Sequence, residues 1–317
     1  MHANPSPAPV LLGIGGAHVD RRGQVAGIYV PGASNPGTMR EDIGGVVFNA
    51  LRVARKRGTA AALISLRGGD SGGQRVAEAI RDAGIEDLSA VFLDRATSSY
   101  TALIDRDGDL IAGFADMGLY DLFPRHLQRS ACRDAMAAAD AVLCDANLSG
   151  PALEMVAHYA GERPVHAIGI SPAKIVRLIP VLERLACLFM NRKEAAALTG
   201  AAIDAPPQAL VAALRDKGLA RGIVTAGGGS VVLFEPGYSA TLAPPPARRI
   251  VDVTGAGDAL AGATVAAMML GTPLGEAVRQ GLAAAMLALE AHEAVPDLSA
   301  PVFAGALALV PGALEMA

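Results

Sequence analysis

Four short apolar runs, Ala141-Val142-Leu143-Cys144, Val165-His166-Ala167-Ile168-Gly169-Ile170, Cys187-Leu188-Phe189-Met190 and Gly222-Ile223-Val224-Thr225, recur through the second half of the chain. Stretches with helical spacing separate most of them. Apolar runs of this length suit strands buried on both faces, and their alternation with helices makes the sheet parallel. The pattern extends toward the N-terminus. Val10 to Ile14 is another apolar strand, ending in Gly15-Gly16, and Ala60 to Ser65 is a further one. Val47, Ala50, Leu51 and Ala54 fall at helical spacing within 46–57, with Gly58 where a C-terminal cap belongs. A second helix is expected over 71–83, closed by Gly84. In an open sheet of this kind, ligands bind beyond the carboxyl ends of the strands.

A different pattern occupies residues 91–116. Tyr100 to Asp105 and Leu110 to Phe114 read as strands joined by Asp105-Arg106-Asp107-Gly108, a hairpin signal. Gln24 to Val30 is also strand-like, so a small sheet appended to the main body is expected from about 21–42 and 91–116. Neither a repeat nor a low-complexity linker divides the 317 residues, which are read as one domain, 1–317. Pro244-Pro245-Pro246 reads as a rigid surface turn inside it.

Composition narrows the function classes. The chain is 52% hydrophobic and 18% charged, which suits a globular protein with a sizeable core. The longest apolar stretch, Ala259 to Leu270, is too short for a bilayer span and suits a buried helix. Met1-His2-Ala3-Asn4-Pro5 does not begin a basic segment followed by a long apolar one, so no secretory signal is expected. A net charge of −4 without a long basic run gives no footprint for nucleic acid. Cys132, Cys144 and Cys187 lack metal-like spacing and read as buried hydrophobes in a reducing cytoplasm.

Four motifs carry candidate chemistry. The first is Val253-Thr254-Gly255-Ala256-Gly257-Asp258, opening the long apolar helix. Small residues at a helix start let an anion approach outward-pointing amides, so Gly255, Ala256 and Gly257 can cradle a phosphoryl group. Asp258 beside them can accept a proton, or simply cap the helix. No Lys-Ser or Lys-Thr follows the glycines, so this is not a Walker motif. The second is Asn191-Arg192-Lys193-Glu194 at a strand end. Asn191 and Glu194 share a helix face and can hold hydrated magnesium, or form a capping box with Asn in place of Ser. The third is Gly44-Gly45 followed by Asn49, a close-contact turn with a side chain suited to hydroxyls. The fourth is Thr225-Ala226-Gly227-Gly228-Gly229, a nucleotide wall or a flexible turn.

In this order, the four motifs resemble the ribokinase-like carbohydrate kinase family, often called the PfkB family, along nearly the whole chain. The resemblance implies an α/β fold with a doubly wound, mostly parallel sheet flanked by helices and a small β-sheet lid. It implies ATP-dependent phosphorylation of a sugar or nucleoside hydroxyl, with magnesium and often potassium, and a homodimer formed through the lid. Ser34-Asn35-Pro36-Gly37, Thr97-Ser98-Ser99-Tyr100, Asp116-Met117, Asp145-Ala146-Asn147-Leu148-Ser149 and Pro296-Asp297-Leu298-Ser299 are similar to segments of bacterial pseudouridine kinases. That narrower resemblance implies pseudouridine as acceptor. Other readings are a kinase of another nucleoside, ribose or a hexose, and a non-catalytic nucleoside-binding protein.

Carried over by position, Asp258 is the catalytic base. Asp20, Gly44, Gly45 and Asn49 bind the ribose. Asn35, Thr97, Ser98 and Tyr100 face the uracil from the lid. Asn191, Thr225, Gly227 and Gly228 line the nucleotide, with Asn191 and Glu194 on magnesium through water. Asp252 and its loop bind the monovalent cation. The chain departs from the family pattern at His18, Val47, Phe48, Ile168-Gly169, Met190 and Ser230.

Overall fold

The computed structural model describes residues 7–316. The N-terminal pentapeptide examined for a secretory signal lies outside them. The strands in chain order are β1 (Val10–Ile14), β2 (His18–Val25), β3 (Gly37–Gly44), β4 (Ala60–Ile64), β5 (Leu66–Gly68), β6 (Glu86–Asp87), β7 (Ala90–Phe92) and β8 (Ser99–Ile104). They continue with β9 (Leu110–Asp116), β10 (Ala141–Asp145), β11 (Val165–Ile168), β12 (Leu185–Asn191), β13 (Gly222–Ala226), β14 (Gly229–Glu235), β15 (Tyr238–Leu242) and β16 (Leu314–Glu315).

The main sheet has the order β16-β15-β14-β13-β12-β11-β10-β1-β4-β6. The strands from β13 to β6 run parallel, and β14, β15 and β16 continue it antiparallel. Alternation along β1 shows why both faces need cover. Leu11 packs into the core on one face, Leu12 and Ile14 into the core on the other, and all three are buried. On the first face lie the Val46–Lys56, Ala256–Met269 and Leu274–Leu289 helices. On the second lie Phe123, Leu127, Leu153, Val156 and Leu214 from helices of the middle of the chain. This is the doubly wound arrangement the sequence implies. The order reverses between β1 and β10, so a crevice opens at their carboxyl ends.

Nearly every residue from Ala259 to Ala267 is buried, as the uniformly apolar pattern requires. Gly262 lies against the helix that begins at Val46. A Cβ there would sit 2.2 Å from the Ala50 carbonyl oxygen, so only glycine allows this approach. The three cysteines are free and buried. Among the described residues, no helix is long and apolar enough to cross a membrane.

A second sheet has the order β3-β2-β8-β9, and β8 and β9 form the hairpin expected at Asp105–Gly108. Its boundaries differ from the sequence expectation in two places. The strand expected over 24–30 lies at His18–Val25, because the Asn35 side chain ties residues 30–35 into a turn: the Val30 amide donates to Asn35 Oδ1. Residues 90–92 pair with β5 in a separate two-stranded sheet, and the lid-like strand starts at Ser99.

Candidate active site

The helix Ala256–Met269 starts at Gly255, whose φ of 82° is left-handed. A Cβ there would also approach the Ala294 carbonyl oxygen at 2.9 Å, so the turn demands glycine. This turn leaves the amides of Ala256 and Gly257 among the unpaired donors of the first helical turn. Asp258 follows in the same turn. Its Oδ2 accepts a hydrogen bond from Asn49 Nδ2 at 3.0 Å. The close approach at Gly262 and Ala50, one residue beyond Asn49, makes that bond reachable. Burial pushes the Asp258 carboxyl up to about 7; the Asn49 bond opposes this, while the Asp145 and Asp20 carboxylates add to it. A carboxylate poised there is matched to base catalysis near neutral pH.

Two cavities are lined by neighbours of Asp258, one by Gly257 and the other by Asn49. One, of about 540 Å³, is lined by Thr225, Gly227 and Gly228 after β13, by the Pro244–Pro246 segment, and by Ala256 and Gly257. The proline run, expected as a surface turn or link, is instead an irregular segment that walls this cavity, with Pro245 buried. The other, of about 280 Å³, is lined by Asp20, Gly44 and Asn49, together with Arg22, Arg52 and Asp252. Gly45 caps the Asn49 helix.

The acceptor-side cavity rests on a polar network that the sequence reading did not assign. His18 Nε2 lies 3.2 Å from Asp20 Oδ1, and Nδ1 lies 3.1 Å from the Tyr120 hydroxyl. With Nε2–H donating to the carboxylate, Nδ1 is left to accept the hydroxyl proton. Asp145 ends β10 at the crevice and is fully buried. Its Oδ1 accepts from the Asn147 amide at 2.7 Å, while Oδ2 has no partner among the described residues. Burial pushes its carboxyl up to about 6, against the pull of the Asn147 amide and the His18 and Lys174 charges. The signal available in sequence was a carboxylate closing an apolar parallel strand. Tyr120 carried none.

Other expected residues lie differently. Asn35 spends its amide on its own loop, donating to the Val30 and Ala33 carbonyls. Thr97 is buried and accepts from the Gly68 amide while donating to Asp70, which caps the Ser71–Asp82 helix. Ser98 is buried before β8. Asn35 and Thr97 have their groups committed within the protein, whereas the buried Ser98 hydroxyl has no hydrogen-bond partner among the described residues. Tyr100 lies beside Asp20 in the β2–β8 register, but a Cβ at Gly113 would meet its hydroxyl at 2.6 Å, so the ring crosses toward β9.

Asn191 and Glu194 form the full capping box. The Glu194 amide donates to Asn191 Oδ1 at 3.0 Å, and the Asn191 amide donates to Glu194 Oε2 at 2.9 Å. Asn191 Nδ2 also donates to Glu194 Oε1 at 2.8 Å. Burial raises the Glu194 carboxyl, and the bonds from Asn191 oppose that rise. Asn191 pairs with Thr225 across β12 and β13, beside the larger cavity. Among the described residues no three His, Cys, Asp or Glu side chains group as a metal site. Both Glu194 oxygens are thus taken up by Asn191, so a magnesium ion here would have to be held through water and substrate phosphates.

The monovalent cation fits less well. Asp252 Oδ2 is held by the Arg22 guanidinium, and Oδ1 accepts from the Thr254 amide at 2.8 Å. Both carboxylate oxygens, which the resemblance assigns to a monovalent cation, are already engaged within the protein.

This arrangement brings together a glycine-bounded helix start with unpaired amides, the Asp258 carboxylate and two cavities lined by its neighbours. The chain belongs to the pfkB family of carbohydrate kinases, whose family model matches residues 11–301. It is 30% identical to the pseudouridine kinase of Escherichia coli strain K12 over 296 residues, covering 90% of this chain and 92% of that protein. Among solved structures, it is 46% identical to a carbohydrate kinase from Agrobacterium tumefaciens, with a TM-score of 0.87, covering 97% of this chain and all of the other. It superposes on an Arabidopsis thaliana ribokinase complexed with ribose and ATP with a TM-score of 0.85 at 22% identity, covering 95% and 99% of the two chains. The chain is therefore a phosphotransferase acting on a hydroxyl of a sugar or nucleoside.

Proposed function

We propose that this kinase transfers the γ-phosphoryl group of ATP to the 5′-hydroxyl of pseudouridine, giving pseudouridine 5′-phosphate and ADP. The observation carrying the transfer is the place of Asp258. Its neighbour Gly257 lines the larger cavity, and its hydrogen-bond partner Asn49 lines the smaller one. ATP occupies the larger cavity and the acceptor the smaller. Asp258 takes the proton of the attacking hydroxyl. The oxygen bonds to the γ-phosphorus, the bond to the β–γ bridging oxygen breaks, and ADP leaves. The amides of Ala256 and Gly257 receive the charge on the moving phosphoryl group. Magnesium neutralises phosphate charge when bound with the nucleotide, and Glu194 anchors its water shell.

Pseudouridine is supported by the Escherichia coli relative and by the sequence segments shared with that subfamily. Thr97 and Asn35 are engaged within the protein and not free to read the base. Arg52 is the better candidate. It lines the acceptor cavity with its guanidinium 5.4 Å from the Phe48 ring centroid, and it makes no hydrogen bond or ion pair among the described residues. A forked donor of this kind suits a uracil carbonyl edge.

A panel of pseudouridine, uridine, ribose and a hexose in a coupled ADP assay tests the acceptor. Pseudouridine is expected to have the highest specificity constant. An equal or higher value for another acceptor gives the function to the second reading, a kinase of another nucleoside or sugar. The altered acceptor side, His18 and Phe48, favours that second reading. We also propose that the β3-β2-β8-β9 sheet acts as the lid and joins two copies of the chain.

A further inference from the structure

Arg22 and Asp252 are 230 residues apart in sequence, yet their side chains form an ion pair. Arg22 lies on β2 two residues after Asp20. Alternate residues of a strand share a face, so both side chains point to the same cavity, which both line. Asp252 starts the segment leading through Val253 and Thr254 to Gly255 and the amides of Ala256 and Gly257. That segment has little else to hold it. Val253 is 70% exposed and Thr254 is exposed as well. Its upstream end is tied to the Leu289 carbonyl by the Val251 amide at 2.8 Å and, at the longer distance of 3.4 Å, by the Asp252 amide, and Thr254 is tied to Asp252 itself. The order of the turn before Gly255 therefore depends on where Asp252 is held.

The Asp252 carboxylate already has a cation beside it, the Arg22 guanidinium. Of the other arginines lining the cavity, Arg75 pairs with Glu41, and Arg52 makes no ion pair among the described residues.

We propose that Arg22 takes the place of a monovalent cation: its guanidinium, carried on the same sheet as Asp20, holds Asp252 and so orders the turn that presents the phosphate-binding amides. Arg22 is a positioning residue in this scheme. It makes the kinase indifferent to potassium. It also links the strand carrying an acceptor ligand, Asp20, to the turn that receives the phosphoryl group. The inference rests on the assignment of Ala256 and Gly257 to phosphate binding, and not on which acceptor is used.

The test compares rates in potassium, sodium and tetramethylammonium at matched ionic strength, with the best acceptor from the panel. Wild type is expected to show equal rates. Arg22→Met is expected to lose about ten- to a hundredfold in kcat, the scale of a misplaced catalytic element. Potassium or free guanidinium should restore part of that loss, and Arg22→Lys should stay near wild type. ADP titration in the same salts reads the turn without any acceptor: wild-type affinity should not change with the cation, and Arg22→Met should bind ADP more tightly in potassium than in tetramethylammonium. A wild-type rate several-fold higher in potassium overturns the inference, as does an Arg22→Met enzyme with unaltered kcat or a loss that no cation relieves. Should Arg22→Met fail to fold, the wild-type salt series and Arg22→Lys decide the matter. ADP binding without turnover on any acceptor would count against the acceptor reading and leave the cation comparison intact.

Discussion

At Asp258, two opposing effects set the chemistry. The helix start and the Asn49 amide favour the carboxylate, while burial and two neighbouring carboxylates favour the acid. Burial wins, and the folded group titrates about neutrality. Only the ionised form accepts a proton, so kcat/KM for wild type should rise with pH through a limb near 7. Asn49 favours the charged form, so Asn49→Ala should move that limb to higher pH. A limb that stays in place would separate Asn49 from the base. Asp258→Asn keeps the shape but removes the acceptor for the proton, and kcat should fall by roughly two to four orders of magnitude while ATP still binds. The same shift bears on stability. The folded pKa lies above the unfolded one, so between about pH 4 and 7 the native state binds the additional proton and stability declines as pH rises. Asp258→Asn should therefore melt higher than wild type at pH 8 and differ little at pH 4, as thermal denaturation at the two pH values would show.

At the scale of elements, the site depends on how closely two helices pack. Gly262→Ala places a Cβ against the Ala50 carbonyl, and the helices must separate. The expected loss is about 1–3 kcal/mol, reduced by up to about 1 kcal/mol through alanine's better helix propensity. As Asn49 recedes from Asp258, kcat should fall too. Gly305→Ala, in the Ala300–Ala308 helix where a Cβ meets nothing within 4 Å, is the matched control and should be neutral or stabilising. Paired melting curves and kcat values check both. The Asn191–Glu194 element separates capping from metal binding in a similar way. Glu194→Gln preserves a capping box, which accepts Gln at that position, but removes the charge. It should need more free magnesium for half-maximal rate while keeping its melting temperature. A magnesium titration identical to wild type would reduce the pair to a cap.

Across the whole molecule, the β3-β2-β8-β9 sheet exposes apolar side chains on its two edge strands. Met39 on β3 is 60% exposed, and Leu110 and Phe114 on β9 are 60% and 70% exposed. Exposed edges with such residues favour pairing with another chain. The kinase should sediment as a dimer, and Met39→Glu with Phe114→Glu should shift it to monomer. A wild-type monomer at assay concentration would remove the lid interface from the account.

The sequence by itself determined the layered architecture and marked the glycine-bounded helix start before Asp258 as the candidate phosphate-binding turn. Apolar runs of strand length, helical spacing between them and glycines before Asp258 are local patterns, and local patterns survive without tertiary knowledge. Asn191 and Glu194 were legible for the same reason, since the four residues from N-cap to N3 decide a capping box. The tertiary structure alone decided the acceptor side. Thr97 looked like a free hydroxyl until the fold brought Asp70 and the Gly68 amide to it, and Asp145 looked like an ordinary strand end until β1 and β10 became neighbours. The link from Arg22 to Asp252 crosses 230 residues, and the bond from Asn49 to Asp258 crosses 209. Contacts at such separations depend on sheet order and helix packing, which no nearby residue encodes.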